Sequence, residues 1–293
     1  MKACPGKENM IQTILFPSSA SDPDRVDEEF EQEYSAAAGD GLFRTIFFSA
    51  DDWFQQGELK LSDTPRGEIS AVYRGWMMKP EQYREFYIRL LEKNISLITD
   101  PDMYTLMNIF PNVYPHLAKD TARILTFPLD EKIDIEMVKA VFDRFSVRDY
   151  MKSAMDKDFR FYFGPAVTQE EFDNWMETFY GYGGNLLTGG VCIREFLNLK
   201  RRNGTANIFR VFYIKNKIVS VSRHSGQVSS VPEPPISLIE KYKGLDSVFY
   251  TLDFAELEDG TWKIIEAGDG SVSSLSEGQD HSAFFRKMFE CLN

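Results

Sequence analysis

The sequence predicts an α/β N-terminal domain followed by an α+β domain with a mainly antiparallel sheet. Three observations predict it. Strand-like and helix-like patterns alternate up to about residue 115. Later, short apolar runs follow one another through tight turns. Two of those turns, Asn216-Lys217 and Asp259-Gly260, sit between runs of hairpin length. We place the domains at residues 1–119 and 120–293.

In the first domain "MIQTILF" and "LFRTIFF" read as buried strands, and the acidic segment between them reads as a helix ending at glycine. "ISAVYRGW" is a third strand and "ISLITD" a fourth. Between these two, "KPEQYREFYIRLLEKN" is a helix with Pro80 in its first turn and Tyr83, Phe86, Tyr87, Leu90 and Leu91 on one apolar face. A connection then runs toward "RILTFPLD". In the second domain "IDIEMVKAVFDRF" is an amphipathic helix, and "SVRDYMKS" and "FRFYFG" are strands. "TQEEFDNWMETFYGYGG" opens with a capping box, Thr168 and Glu171, and stops at glycine. "VCIREFLNL", "NIFRVFYI", "KIVSVSRHS", "VFYTLDFAEL" and "TWKIIEAG" are antiparallel candidates, interrupted by the helix "PPISLIEKYKG".

Composition narrows the function. With 293 residues, 43% hydrophobic and 14% aromatic, the chain can bury a sizeable core. A formal charge of −12 argues against a broad nucleic-acid face, so any anionic ligand needs a local basic cluster. Three scattered cysteines form no CxxC pair and fit a reducing compartment. No signal-peptide or membrane-spanning pattern is present, so we expect a cytoplasmic protein without membrane partners. The motifs of P-loop, Rossmann, protein-kinase and HExxH zinc sites are missing. "GYGGNLLTGG" reads as a helix cap and turn, and the three histidines are isolated, with His224 beside Arg223.

The two hairpins carry the chemistry. If Asp259-Gly260 is a two-residue loop, Asp253 lies opposite Glu266. Opposed residues have Cβ atoms roughly 4.5–5.5 Å apart, and like charges there destabilise a sheet. A Mg²⁺ bridging both carboxylates to phosphate would resolve the repulsion; two solvent-facing carboxylates with separate donors are the alternative. A two-residue loop at Asn216-Lys217 likewise sets Arg210 opposite Arg223. An anion between them would suit the planar guanidinium fork, and two separate surface ion pairs would serve equally. An anion clamp beside a cation clamp is what a Mg-nucleotide requires.

The order "VRDYMKS", "VCIREFLNLK", "FRVFYI…VSVSRHS", "LDFAELEDGTWKIIEAGDGSVSSL" resembles the ATP-grasp superfamily, and within it the clade named for two arginines and one lysine. The resemblance spans roughly residues 120–285. It implies an ATP-grasp domain using ATP and Mg²⁺, and an ATP-dependent carboxylate–amine ligase that activates a carboxylate as an acyl phosphate. It assigns Lys152 to the ATP phosphates, Glu195, Phe196 and Leu197 to an adenine-reading hinge, and Arg210 and Arg223 to phosphate or the developing acyl phosphate. Asp253 and Glu266 become Mg²⁺ ligands. Gly268 stands where the superfamily often has Asn, and Asp269 would supply the missing oxygen. Arg74, at a strand end of the first domain, would hold a substrate carboxylate, with a surface salt bridge as the alternative. The partners would be small-molecule, peptide or protein carboxylates and amines. Two other readings stay open: an ATP-binding assembly factor or chaperone of the same fold, and an interaction protein without nucleotide.

Overall fold

The computed structural model describes residues 13–39, 41–129, 131–151, 162–224 and 231–293. The first layer alternates strand and helix: β1 (Thr13–Pro17), α1 (Glu31–Gly39), β2 (Arg44–Phe48), α2 (Ala50–Gln56), β3 (Ile69–Tyr73), α3 (Pro80–Leu91) and β4 (Ile95–Leu97). The strands form a parallel sheet in the order β2-β1-β3-β4. Local chemistry sets the helix ends. Ser49 accepts from the Asp52 N–H to open α2, and Gly57 closes it at a φ of 69°. On α3 the buried residues are Tyr83, Phe86 and Leu90, whereas Leu91, expected on the same face, is 46% exposed.

Two helices, α4 (Pro101–Asn108) and α5 (Phe110–Leu117), lead out of this layer. The next strand, β5 (Ile124–Pro128), replaces what the sequence shows only as a connection. It is an edge strand hydrogen-bonded on one side, so it needs little apolar signature of its own. After α6 (Ile135–Val141) come β6 (Phe145–Asp149), β7 (Tyr162–Phe163), α7 (Gln169–Gly183) and β8 (Gly190–Glu195). Their strands form an antiparallel sheet, β5-β8-β6-β7. The predicted capping box is present: Thr168 Oγ1 accepts from the Glu171 N–H while Glu171 accepts from the Thr168 N–H.

A small ribbon, β9 (Arg201–Arg202) and β10 (Thr205–Ala206), precedes β11 (Ile208–Ile214), β12 (Lys217–Arg223), α8 (Ile236–Lys241), β13 (Phe249–Glu256), β14 (Trp262–Asp269) and α9 (His281–Leu292). The second antiparallel sheet runs β12-β11-β13-β14. Its core is continuous with that of the first layer, because Ile14, Phe16 and Val72 cluster with Phe212, Phe249, Phe284 and Met288. On the other face, α4 and α5 pack along β14. No helix of the described residues is long and apolar enough to cross a membrane.

Candidate functional site

The β13–β14 hairpin closes through a three-residue loop, Glu258 to Gly260. Leu257 N–H donates to Thr261 O at 2.8 Å, and Gly260 N–H to Leu257 O at 2.9 Å. Gly260 takes a φ of 84°, which this loop type needs and glycine allows. The register from the turn would miss the expected pairing by one residue. Ile265 then bulges, the register shifts, and Asp253 pairs with Glu266 as the sequence predicts.

The β11–β12 hairpin corrects the sequence reading. Its loop is Lys215-Asn216, with φ of 46° and 62°, one residue earlier than expected. A bulge at Val219 restores only part of the difference. Arg210 therefore pairs with Ser222, and Arg223 pairs with Phe209. The two arginines are not opposed, and successive residues of a strand face opposite sides of a sheet.

Arg210 instead stands across from Asp253 on β13. Its Nε and Nη2 donate to Asp253 Oδ1 and Oδ2 at 2.8 and 2.7 Å, and its Nη1 donates to Ser274 O at 3.0 Å. Burial disfavours the Arg210 charge, but the Asp253 carboxylate outweighs it and holds the guanidinium pKa above its ordinary value.

Glu266 has its own partners. Arg148 Nη1 donates to Glu266 Oε2 at 2.9 Å, and Arg194 Nη1 lies 3.6 Å away. Arg194 also sits 3.6 Å from the centroid of the Phe110 ring on α5. Arg148 and Arg194 come from β6 and β8, where Ser146 pairs with Arg194 and Arg148 with Cys192, so both project from one face of that sheet. The facing carboxylates thus meet three guanidiniums. Arg148 and Arg194 were missed by sequence reasoning. The available signal was a lone arginine in each of two apolar strands, "SVRD" and "CIRE".

Asp253, Glu266, Arg148 and Arg194 line a cleft of about 300 Å³ between these two sheets, with Arg210 buried behind Asp253. Glu195, Phe196 and Leu197 form part of its wall, together with Tyr162, Ser146 and Ile265. Arg123 grips the Glu195 carboxylate at 2.6 and 3.1 Å, and this hydrogen bonding holds its pKa below the usual carboxylate range. The Phe196 ring lies 3.8 Å from the Arg144 guanidinium and 5.1 Å, edge-on, from Tyr162. The Leu197 N–H makes no hydrogen bond among the described residues.

Two further candidates stand elsewhere. Asp269 is fully buried, pairs with Tyr250 and does not line the cleft. Its Oδ1 accepts from Ser271 N–H at 2.8 Å, and burial pushes its carboxyl up to about 7. It does not join Asp253 and Glu266, because β14 turns it toward the first layer. Arg74 is also buried. Its Nε and Nη2 grip Glu33 at 2.8 and 2.7 Å, and its Nη1 donates to Gly270 O and Ser273 O. With these donors engaged inside the protein, Arg74 is not presented to a substrate carboxylate. Lys152 lies outside the described residues.

Among the described residues no group of three His, Cys, Asp or Glu side chains converges as a metal cage. Two facing carboxylates are compatible with Mg²⁺, which commonly takes one or two carboxylates and completes its shell with phosphate oxygens and water. Gly268 adds no donor, and a Cβ there would lie 3.2 Å from Ser273 Oγ and 3.4 Å from Thr251 Oγ1.

A family model described as ATP-grasp domain, R2K clade family 3, matches residues 134–288. Comparison with curated proteins gave no match. Among solved structures, the ATP-grasp ligase PsnB complexed with a minimal precursor is similar at a TM-score of 0.63 and 9% identity, over 97% of this chain and 100% of that one. The D-cycloserine synthetase DcsG gives 0.61 and 14%, over 96% and 100%. A RimK domain ATP-grasp protein from Sphaerobacter thermophilus gives 0.62 and 11%, over 96% and 99%. At these identities the likeness is one of fold.

Proposed function

Because the chain belongs to the ATP-grasp domains, in the family 3 just described, we propose that it is an ATP-dependent carboxylate–amine ligase. The observation that carries this reading is the directly opposed pair Asp253 and Glu266 in a cleft lined by Arg148 and Arg194, with Arg210 behind Asp253. In the reaction, a substrate carboxylate oxygen attacks the γ-phosphorus of ATP, and ADP leaves. An amine then attacks the acyl phosphate carbonyl, phosphate departs, and an amide forms.

The protein's part is positioning and charge. Adenine would lie against the wall at Glu195 to Leu197, where the Leu197 N–H is available to a ring nitrogen. Arg148 and Arg194 would turn from Glu266 toward the phosphates, with Lys152 as a further phosphate candidate; Arg223, on the opposite face of the sheet from Arg210, is not one. Asp253 and Glu266 would hold Mg²⁺, which neutralises charge on the transferring phosphoryl group. PsnB forms a complex with a minimal precursor, and DcsG is a D-cycloserine synthetase. Peptide and amino-acid carboxylates with amine acceptors are therefore the first substrates to try.

Gly268 favours a second reading, ATP binding without ligase turnover, because a donor the superfamily often supplies is missing there. Two measurements test the proposal. A ligand at a hundred times its dissociation constant stabilises the native state by about 2.7 kcal/mol, so melting should rise clearly with Mg-ATP and little with Mg-GTP. Screening amino acids and peptides for ADP release then separates a ligase from a binding protein. No melting shift with Mg-ATP would overturn both readings.

A further inference from the structure

A buried chain of contacts runs from α1 of the first layer to the candidate metal carboxylate. Glu33 grips Arg74 through two hydrogen bonds. Arg74 Nη1 donates to Gly270 O and, at 2.9 Å, to Ser273 O. The next residue, Ser274, offers its carbonyl to Arg210 Nη1 at 3.0 Å. Arg210 then fixes both oxygens of Asp253. Serine side chains brace the same turn: Ser273 Oγ donates to Asp269 O at 2.8 Å and lies 2.9 Å from Thr251 Oγ1. The charged side chains of the chain are at most 9% exposed.

We infer that Arg74 is a positioning residue for Asp253, acting through the serine turn and Arg210. The inference rests on the reading of Asp253 as a Mg²⁺ ligand. A guanidinium fork sets the plane of the carboxylate it grips, so the place of Arg210 decides where the Asp253 oxygens point. Arg210 is itself held by the carbonyl of Ser274. That carbonyl is immobile only while Arg74, anchored by Glu33, clasps the turn on either side of Ser271. Mg²⁺ demands near-ideal octahedral geometry at short distances, so a small displacement of one ligand is felt strongly. The adenine wall at Glu195 to Leu197 lies on the other sheet and shares none of these contacts. A defect at Arg74 should therefore weaken the metal's contribution and spare the nucleotide's.

The test is a Mg²⁺ titration against a fixed concentration of ADP, followed by calorimetry, beside ADP binding without metal. In Arg74→Met and Glu33→Gln the Mg²⁺ midpoint should rise roughly threefold to thirtyfold, the range known for coupling along packed polar networks. Metal-free ADP affinity should stay at the wild-type value. An unmoved midpoint with a lowered melting temperature would make Arg74 a structural tie only and overturn the inference. If Arg74→Met does not fold, Glu33→Gln, which keeps shape and leaves Arg74 in place, decides the question. Wild-type ADP binding without any Mg²⁺ dependence would instead overturn the metal reading, and this inference with it.

Discussion

Arg210 and Asp253 stand opposite each other on β11 and β13 and share two parallel hydrogen bonds of 2.8 and 2.7 Å. Removing one partner leaves the other charge buried and uncompensated, which costs about 3–5 kcal/mol. Arg210→Met and Asp253→Asn should each destabilise the protein without ligand by this order. The double variant should lose less than the two single losses added together. Urea unfolding of the three variants checks this. An Arg210–Arg223 pair would have made removal of Arg210 neutral or stabilising.

Glu266 is reached by arginines from the opposite sheet and lines the cleft. Glu266→Gln should leave the fold intact and abolish the Mg²⁺ dependence of nucleotide binding. Asp259, whose carboxylate is used within the turn by Thr261, is the control. Asp259→Asn should leave metal dependence unchanged. Equal Mg²⁺ titrations for the two variants would remove Glu266 from the metal site.

Asp269 makes a pH prediction. Its carboxyl is raised from 3.8 to about 7 by burial, so the fold prefers the protonated form. Its stabilising contribution is full below pH 3.8, falls as pH rises and the unfolded chain releases the proton first, and is lost above pH 7. Asp269→Asn mimics the protonated acid. It should flatten this dependence between about pH 4 and pH 7 and raise the melting temperature at pH 8. Parallel melting curves for variant and wild type across that window would count against the raised carboxyl.

The glycine-rich stretch "GYGGNLLTGG" makes a structural prediction. Gly184, at a φ of 44°, ends α7, and Gly189 takes 83°. A Cβ on Gly190 would lie 2.5 Å from Phe127 O of β5 and 2.5 Å from the Tyr150 ring. Gly190→Ala should force the β5–β8 pairing apart and cost about 1–3 kcal/mol. Thermal melting reads the loss directly. An unchanged melting temperature would show that Tyr150 and β5 give way freely.

Alternation of strand and helix, the Pro80 start of α3 and the Thr168–Glu171 box were legible because each is a local pattern. The helix α9, not among the elements expected from the sequence, carries a clear apolar face of Phe284, Phe285, Met288 and Leu292. Strand register is a subtler matter. For Asp253 and Glu266 the sequence gives the observed pairing because a longer loop and a bulge at Ile265 cancel. For Arg210 and Arg223 the loop and the bulge at Val219 do not cancel: pairings beside the turn are two residues out, and those beyond the bulge, Arg210 included, are one residue out. Bulges leave little trace in hydrophobic alternation, so counting outward from a turn is safe only up to the first one. Arg148 and Arg194 were illegible for another reason. Glu266 lies 118 residues beyond Arg148 and is brought to it by the packing of one sheet on another.

The arginines around the facing carboxylates have a further consequence. Three guanidiniums, from Arg148, Arg194 and Arg210, meet two carboxylates, so this corner of the cleft carries positive charge in a chain whose formal charge is −12. A lone divalent cation approaching it would be repelled and would find Asp253 and Glu266 already engaged. On the proposed reading, nucleotide phosphate would be drawn in, and by drawing Arg148 and Arg194 away from Glu266 it would free that carboxylate. The expected order of arrival is therefore nucleotide before, or together with, the ion, with the metal site assembled by the substrate that needs it.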